Sequence, residues 1–156
     1  MGIKEVSSIV SEQKNQAALI IDDDKAILRT FSIILKRKGY TTDTAETGKE
    51  ALDKINFNNY DVALIDMRLP DIQGTDLITQ LPKKSAKMVK IILTGLMPID
   101  PNHQTDPQVD AYLLKPIKPD DLLNIIETNL QKHRSKNTAS ASTQPKQQRN
   151  RTSKNL

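Results

Sequence analysis

The run Val62-Ala63-Leu64-Ile65 constrains this chain more than any other stretch. Nothing polar interrupts it, so it reads as a strand buried on both faces, the kind found in parallel sheets covered by helices. It delivers Asp66 where the chain leaves the core, and Pro70 bars a helix from continuing at once. Ligands of open α/β sheets bind at the carboxyl ends of strands, which is where a reactive carboxylate would be placed. Taken alone, an Asp after a strand is more often a turn-former or a helix cap. Its meaning depends on what joins it.

Three further runs of strand length end in polar residues. Ala17–Ile21 ends in Asp22-Asp23-Asp24, Val89–Leu93 in Thr94-Gly95, and Ala111–Leu114 in Lys115-Pro116. Tyr40–Ala45 is short, polar and Thr-rich, which suits a sheet edge. Segments of helical spacing lie between the runs. Ala26–Lys38 places Ile27, Phe31, Ile34 and Leu35 on one face and stops at Gly39. Asp24 reads as an acid at the start of that helix. Thr47 caps the next helix, with Glu50 completing a capping box and Ala51, Leu52 and Ile55 inward. A third helix begins near Thr75, turns Leu77, Ile78 and Leu81 inward and closes at Pro82. The last opens at Pro119-Asp120-Asp121 and reaches about Lys132, with Leu122, Leu123, Ile126 and Leu130 inward. This alternation implies a parallel sheet with helices on both faces.

The 156 residues allow one domain with a core, plus tails. With no cysteine and only His103 and His133, disulfides, thiolate metal sites and His-rich metal sites are ruled out or disfavoured. No apolar run approaches the roughly 18–20 residues that span a bilayer, and Met1–Val6 has no signal-peptide core, so a cytoplasmic protein is expected. Neither usual Gly-rich nucleotide loop occurs. The formal charge of +4 misleads: Arg134, Lys136, Lys146, Arg149, Arg151 and Lys154 all lie in an acid-free tail, and without those six residues 1–133 stand at −2. From Ser135 onward Ser, Thr, Asn, Gln, Lys and Arg dominate, a composition expected to be disordered. The chain thus divides into an N-terminal extension, 1–16, a folded domain, 17–133, and a disordered basic tail, 134–156. The tail has no aromatics for base stacking, so a solvated extension is the simpler reading than a nucleic-acid contact.

Asp22/Asp23, Asp66, Thr94 and Lys115 thus stand at four strand ends. With Leu19-Ile20-Ile21-Asp22-Asp23-Asp24, Leu64-Ile65-Asp66-Met67-Arg68-Leu69-Pro70 and Gly74, Ile92-Leu93-Thr94-Gly95, and Tyr112-Leu113-Leu114-Lys115-Pro116, the chain resembles the receiver domain of two-component response regulators over about 17–133. The resemblance implies a flavodoxin-like (CheY-like) five-stranded parallel sheet of order 2-1-3-4-5, in agreement with a polar edge strand. That order would gather Asp22, Asp23 and Asp66 at one rim, where carboxylates 4–5 Å apart repel by about 3–4 kcal/mol per pair. Such a cluster raises a pKa or binds a cation, and an all-oxygen site suits Mg²⁺. By resemblance, Asp23, Asp66 and the Met67 carbonyl would be metal ligands, with Asp22 acting largely through water. Asp66 would be the phosphoacceptor, served by Lys115 and Thr94. Thr94 and Tyr112 would form the switch that alters the surface on phosphorylation. The implied partners are a histidine kinase or phosphotransfer protein and a downstream protein target, the chain being a monomer or a phosphorylation-dependent dimer. It would act on itself rather than as an enzyme.

The chain departs from the family between Gly95 and Gln108. Pro98, Pro101 and Pro107 would each cost a helix about 3 kcal/mol there, so the family's helix between strands four and five is expected to be degraded or missing, and the usual output face remodelled. Arg68 and Leu96 lie two residues beyond Asp66 and Thr94, at positions that tune phosphoryl lifetime in the family. The apolar Leu96 cannot orient an attacking water, so slow self-hydrolysis is expected. No second domain follows, which predicts a stand-alone receiver signalling through protein contacts. The alternative is a pseudo-receiver scaffold that binds partners without phosphorylation. A phosphatase of the haloacid dehalogenase type would need an Asp where Arg68 stands.

Overall fold

The computed structural model describes residues 15–96 and 106–141. The expectations for most of the N-terminal extension, for the centre of the proline-rich segment and for residues 142–156 lie outside the described residues. The sheet consists of β1 (Ala17–Ile21), β2 (Thr41–Ala45), β3 (Val62–Asp66), β4 (Val89–Thr94) and β5 (Ala111–Leu114). All neighbours are parallel and the order is β2-β1-β3-β4-β5, as expected for a flavodoxin-like fold. The helices are α1 (Lys25–Arg37), α2 (Gly48–Phe57), α3 (Gly74–Thr79) and α4 (Pro119–Ala141).

Because side chains alternate along a strand, the continuous apolar runs supply both faces of the sheet. Val62 and Leu64 of β3 join Ile20, Ile91 and Leu93 under α1 and α4, where Leu28, Phe31, Leu35, Leu122 and Ile126 meet them. Ala63 and Ile65 face the other way with Leu19, Ile21 and Ile92, under Ala51, Ile55, Leu77 and Ile78 of α2 and α3. Each fully buried Leu or Ile contributes about 1.5–3 kcal/mol through removal from water. β2, with its exposed and half-buried Thr and Asp positions, needs only one covered face and takes the edge.

The ends of the helices follow local chemistry. Asp24 is the N-cap of α1, its carboxylate accepting the Ala26 N–H at 2.9 Å. Thr47 caps α2 by accepting from Glu50 N–H, but the Glu50 carboxylate returns to the N–H of Glu46 at 2.9 Å, one residue before the cap. That bond holds the Glu50 carboxyl below its ordinary range. The stability it provides is therefore present above the ordinary value of 4.5 and lost as pH falls through the lowered one. Glu50→Gln is expected to flatten the acid limb of the stability profile below pH 4.5, read from thermal midpoints across pH. The loss should be small, since the side chain is 43% exposed and the bond is screened by solvent.

Three details differ from the sequence pattern. On α1 it is Leu28 that is buried, while Ile27 and Ile34 are only partly so. α3 stops at Thr79, and after Pro82 a 3₁₀ turn over Lys83–Lys87 leads into β4. The last helix does not end near Lys132 and the tail is not irregular from 134: α4 continues to Ala141. No Gly or Pro interrupts the chain before Pro145, and the His133 ring anchors the extended helix. Its two nitrogens face the Asp110 carboxylate at 2.7 Å and the Lys87 carbonyl at 3.1 Å. Ser135 and Thr138 donate back to Gln131 and Arg134 carbonyls, satisfying their hydroxyls within the helix.

Candidate phosphoacceptor site

The parallel register decides which polar residues meet. Ile21 pairs with Ile65, so Asp22 and Asp66, the next residue of each chain segment, emerge side by side. Asp66 pairs with Leu93 and Thr94 with Leu114, which places Thr94 and Lys115 on the same carboxyl rim. Asp22, Asp23 and Asp66 each offer a carboxylate oxygen within 4.8 Å of the others. Asp22 is 1% exposed and Asp66 9%, whereas Asp23 faces solvent.

Lys115 draws the cluster together. Its ammonium lies 2.9 Å from Asp22 Oδ2 and 3.2 Å from Asp66 Oδ1. Burial works against the lysine's charge, but the hydrogen bond to Asp22 and the two carboxylate charges outweigh it and raise Lys115 above its ordinary value. For Asp22 burial dominates and pushes its carboxyl up, while Lys115 and the Asp24 N–H pull it back. Lys115 was expected to serve the transferring group; in this structure it is a counter-ion for two acids. Asp22, expected to act largely through water, holds the shorter of the two contacts and the Asp24 N–H at 2.9 Å.

Beyond β3 the chain makes a tight return. Met67 N–H donates to the Leu93 carbonyl at 2.8 Å, and the Met67 carbonyl accepts from Gly74 N–H at 2.7 Å. A Cβ at Gly74 would lie 2.5 Å from the Asp66 carbonyl oxygen, so this approach requires glycine. The Thr94 hydroxyl is occupied locally, donating to the Leu96 carbonyl at 2.9 Å and accepting the Leu96 N–H at 3.2 Å. It is not bonded to Asp66. Tyr112 is half-buried against the α2/α3 side of the core, and burial raises its hydroxyl above the ordinary value. The Lys115-Pro116 peptide bond is cis.

A cleft of about 570 Å³ opens over these groups, lined by Asp66, Met67, Arg68, Gln73, Thr94, Leu96 and Lys115 among others. Of the residues singled out in the sequence, Asp66, Met67, Arg68, Thr94, Leu96 and Lys115 line the cleft, whereas Asp22, Asp23 and Tyr112 do not. Gln73, which no sequence signal singled out, lines it beside Arg68, to which an isolated bridge joins it. The spacing of Asp66 and Gly74 was the signal for that return.

Comparison with known proteins decides the family. The model for the response regulator receiver domain matches residues 18–127. The chain belongs to the response regulator receiver family. This receiver is 32% identical over 106 residues to the cell cycle transcriptional regulator CtrA of Caulobacter vibrioides, a match covering 67% of this chain and 46% of that protein. The cell cycle response regulator CtrA of Brucella ovis is 31% identical over the same length and the same shares. The receiver thus spans about half the length of the curated relatives it matches. Among solved structures, a CheY-like receiver domain protein from Methanospirillum hungatei is 34% identical with a TM-score of 0.69, covering 78% of this chain and 98% of that one. A receiver domain protein from Clostridium thermocellum is 28% identical at 0.65, covering 77% and 98%. No helix among the described residues is long and apolar enough to cross a membrane.

Proposed function

We propose that this receiver accepts a phosphoryl group on Asp66 from a histidine kinase or phosphotransfer protein and signals through phosphorylation-dependent contacts with another protein. The observation that carries the reading is the ammonium of Lys115 held between Asp22 and Asp66 beside a third acid, Asp23. One Asp66 oxygen attacks phosphorus as the bond to the donor's imidazole nitrogen breaks, and that nitrogen leaves with the electron pair. The product is an acyl phosphate. Lys115 already lies within reach of the carboxylate and balances charge on the arriving phosphoryl oxygens. The Thr94 hydroxyl would exchange its bonds with the Leu96 backbone for one to a phosphoryl oxygen, drawing Gly95 and Leu96 toward the rim and freeing space for Tyr112.

The donor set fits Mg²⁺: the carboxylates of Asp23 and Asp66 and the Met67 carbonyl are all oxygens, with Asp22 able to hold a coordinated water. The Met67 carbonyl accepts one hydrogen bond, from Gly74, and keeps a lone pair for the cation. When bound, the ion would neutralise charge on the phosphoryl group. We further read the receiver as a cytoplasmic protein, monomeric or dimerising on phosphorylation, that acts on itself rather than on other substrates.

Acetyl phosphate with Mg²⁺, followed by intact mass measurement, tests this. A gain of one phosphoryl group that EDTA abolishes is expected; no gain would leave the chain a phosphorylation-independent scaffold. Exposed, apolar Leu96 lines the cleft where a polar side chain would orient water. The label should therefore persist for minutes or longer with Mg²⁺ present, and its disappearance within seconds would contradict slow self-hydrolysis.

A further inference from the structure

The return from Met67 to Gly74 is fastened at three levels. Inside it, the Arg68–Gln73 bridge and the Leu69 N–H to Ile72 carbonyl bond close the turn. At its base, Gly74 N–H holds the Met67 carbonyl. At its tip, the Asp71 carboxylate leaves the turn altogether and spans to the first residues of α2, one oxygen accepting Gly48 N–H at 2.8 Å and the other Lys49 N–H at 2.9 Å. A carboxylate on two free N–H groups at a helix start is favoured by both hydrogen bonding and the helix dipole. Those bonds hold the Asp71 carboxyl below its ordinary range. Packing supports the same junction, since a Cβ on Gly48 would meet Ile72 Cγ2 at 2.3 Å.

We propose that Asp71 is a positioning residue of the phosphoacceptor site, tying the Met67–Gly74 turn to α2 and so fixing the Met67 carbonyl in the orientation that a divalent cation needs. The inference rests on the reading of the Asp23, Asp66 and Met67 oxygens as a Mg²⁺ site. Without the tie, the turn keeps its internal bonds but loses its only anchor to α2 by hydrogen bonds among the described residues. The turn, with the Met67 carbonyl still tied to Gly74, then shifts as a unit relative to Asp66, which β3 holds. The effect should fall on cation binding more than on the attack by Asp66, which β3 positions independently.

The experiment is Mg²⁺ titration of the unphosphorylated protein by calorimetry, for wild type, Asp71→Ala and Asp71→Asn, with Asp76→Ala in the first turn of α3 as a control. Asp71→Ala is expected to weaken Mg²⁺ about tenfold, the scale of losing a group that orients a ligand. Asp71→Asn, which retains one acceptor, should recover part of that loss, and Asp76→Ala none of it. With acetyl phosphate, Asp71→Ala should need more Mg²⁺ for half-maximal rate yet approach the wild-type rate at saturation. Wild-type Mg²⁺ affinity in folded Asp71→Ala, even with a lower thermal midpoint, would reduce Asp71 to a structural cap and overturn the proposal. Should wild type bind Mg²⁺ but take no phosphoryl group, the titration still decides the role of Asp71 while the phosphoacceptor reading fails separately.

Discussion

Lys115→Met should slow phosphorylation by acetyl phosphate about a hundredfold while leaving the chain folded. The scale is that of losing one preorganised charge partner of a developing anion. Methionine keeps most of the lysine's length and apolar stem but leaves Asp22 and Asp66 facing each other with no cation between them. Breaking a buried ion pair costs about 3–5 kcal/mol when the remaining charge has no escape. Here the loss should be nearer 1–2 kcal/mol, because the lysine side chain is 24% exposed and screened. Asp22, whose carboxyl burial already pushes upward, also loses the lysine that pulls it back, so its carboxyl should rise further. Rates follow from intact masses over time, and stability from urea unfolding. A rate within threefold of wild type would show that Lys115 serves the fold and not the transfer.

Gly74→Ala is expected to be the most damaging small substitution near the site. The added carbon would fall 2.5 Å from the Asp66 carbonyl oxygen and 3.2 Å from both the Asp66 carbonyl carbon and Ile65 Cγ2. Two of those three atoms are backbone of the central strand, and Gly74 N–H is itself tied to the Met67 carbonyl at 2.7 Å, so neither side can yield cheaply. Overpacking of this kind costs about 1–3 kcal/mol, and the upper end applies where backbone must move. Urea denaturation measures it. Gly48→Ala is a useful contrast, because its close neighbour, Ile72 Cγ2, belongs to a half-buried side chain and not to backbone. A loss under about 1 kcal/mol at Gly74 would mean that the return beyond β3 is softer than its hydrogen bonds indicate.

The strands were legible because buried parallel strands are apolar on both faces, and Val62–Ile65 or Ile91–Leu93 leave no other assignment. The site was legible because each of those strands ends in one polar residue, and the parallel register turns strand ends into neighbours. What escaped the sequence has local causes. On α1, Ile27-Leu28 and Ile33-Ile34-Leu35 make adjacent faces similarly apolar, and only packing against Ile20, Leu64 and Ile126 chooses Leu28. The reach of α4 was hidden by a composition suited to disorder, since its anchor, His133 against Asp110 and Lys87, is a long-range contact. Asp71 meets Gly48 and Lys49 across more than twenty residues, and no local pattern announces such a tie. Lys115 was found, but its ion pairs to both Asp22 and Asp66 became visible only with the side chains in place.

The central claim is that Asp66, among three adjoining acids, is the one that attacks phosphorus. Reducing the acetyl phosphate-treated chain with borohydride converts an aspartyl phosphate to homoserine, and peptide mapping then locates it. The account predicts homoserine at position 66 and none in Asp66→Asn. Homoserine at position 22 or 23 instead, or equal conversion in the variant, would contradict it.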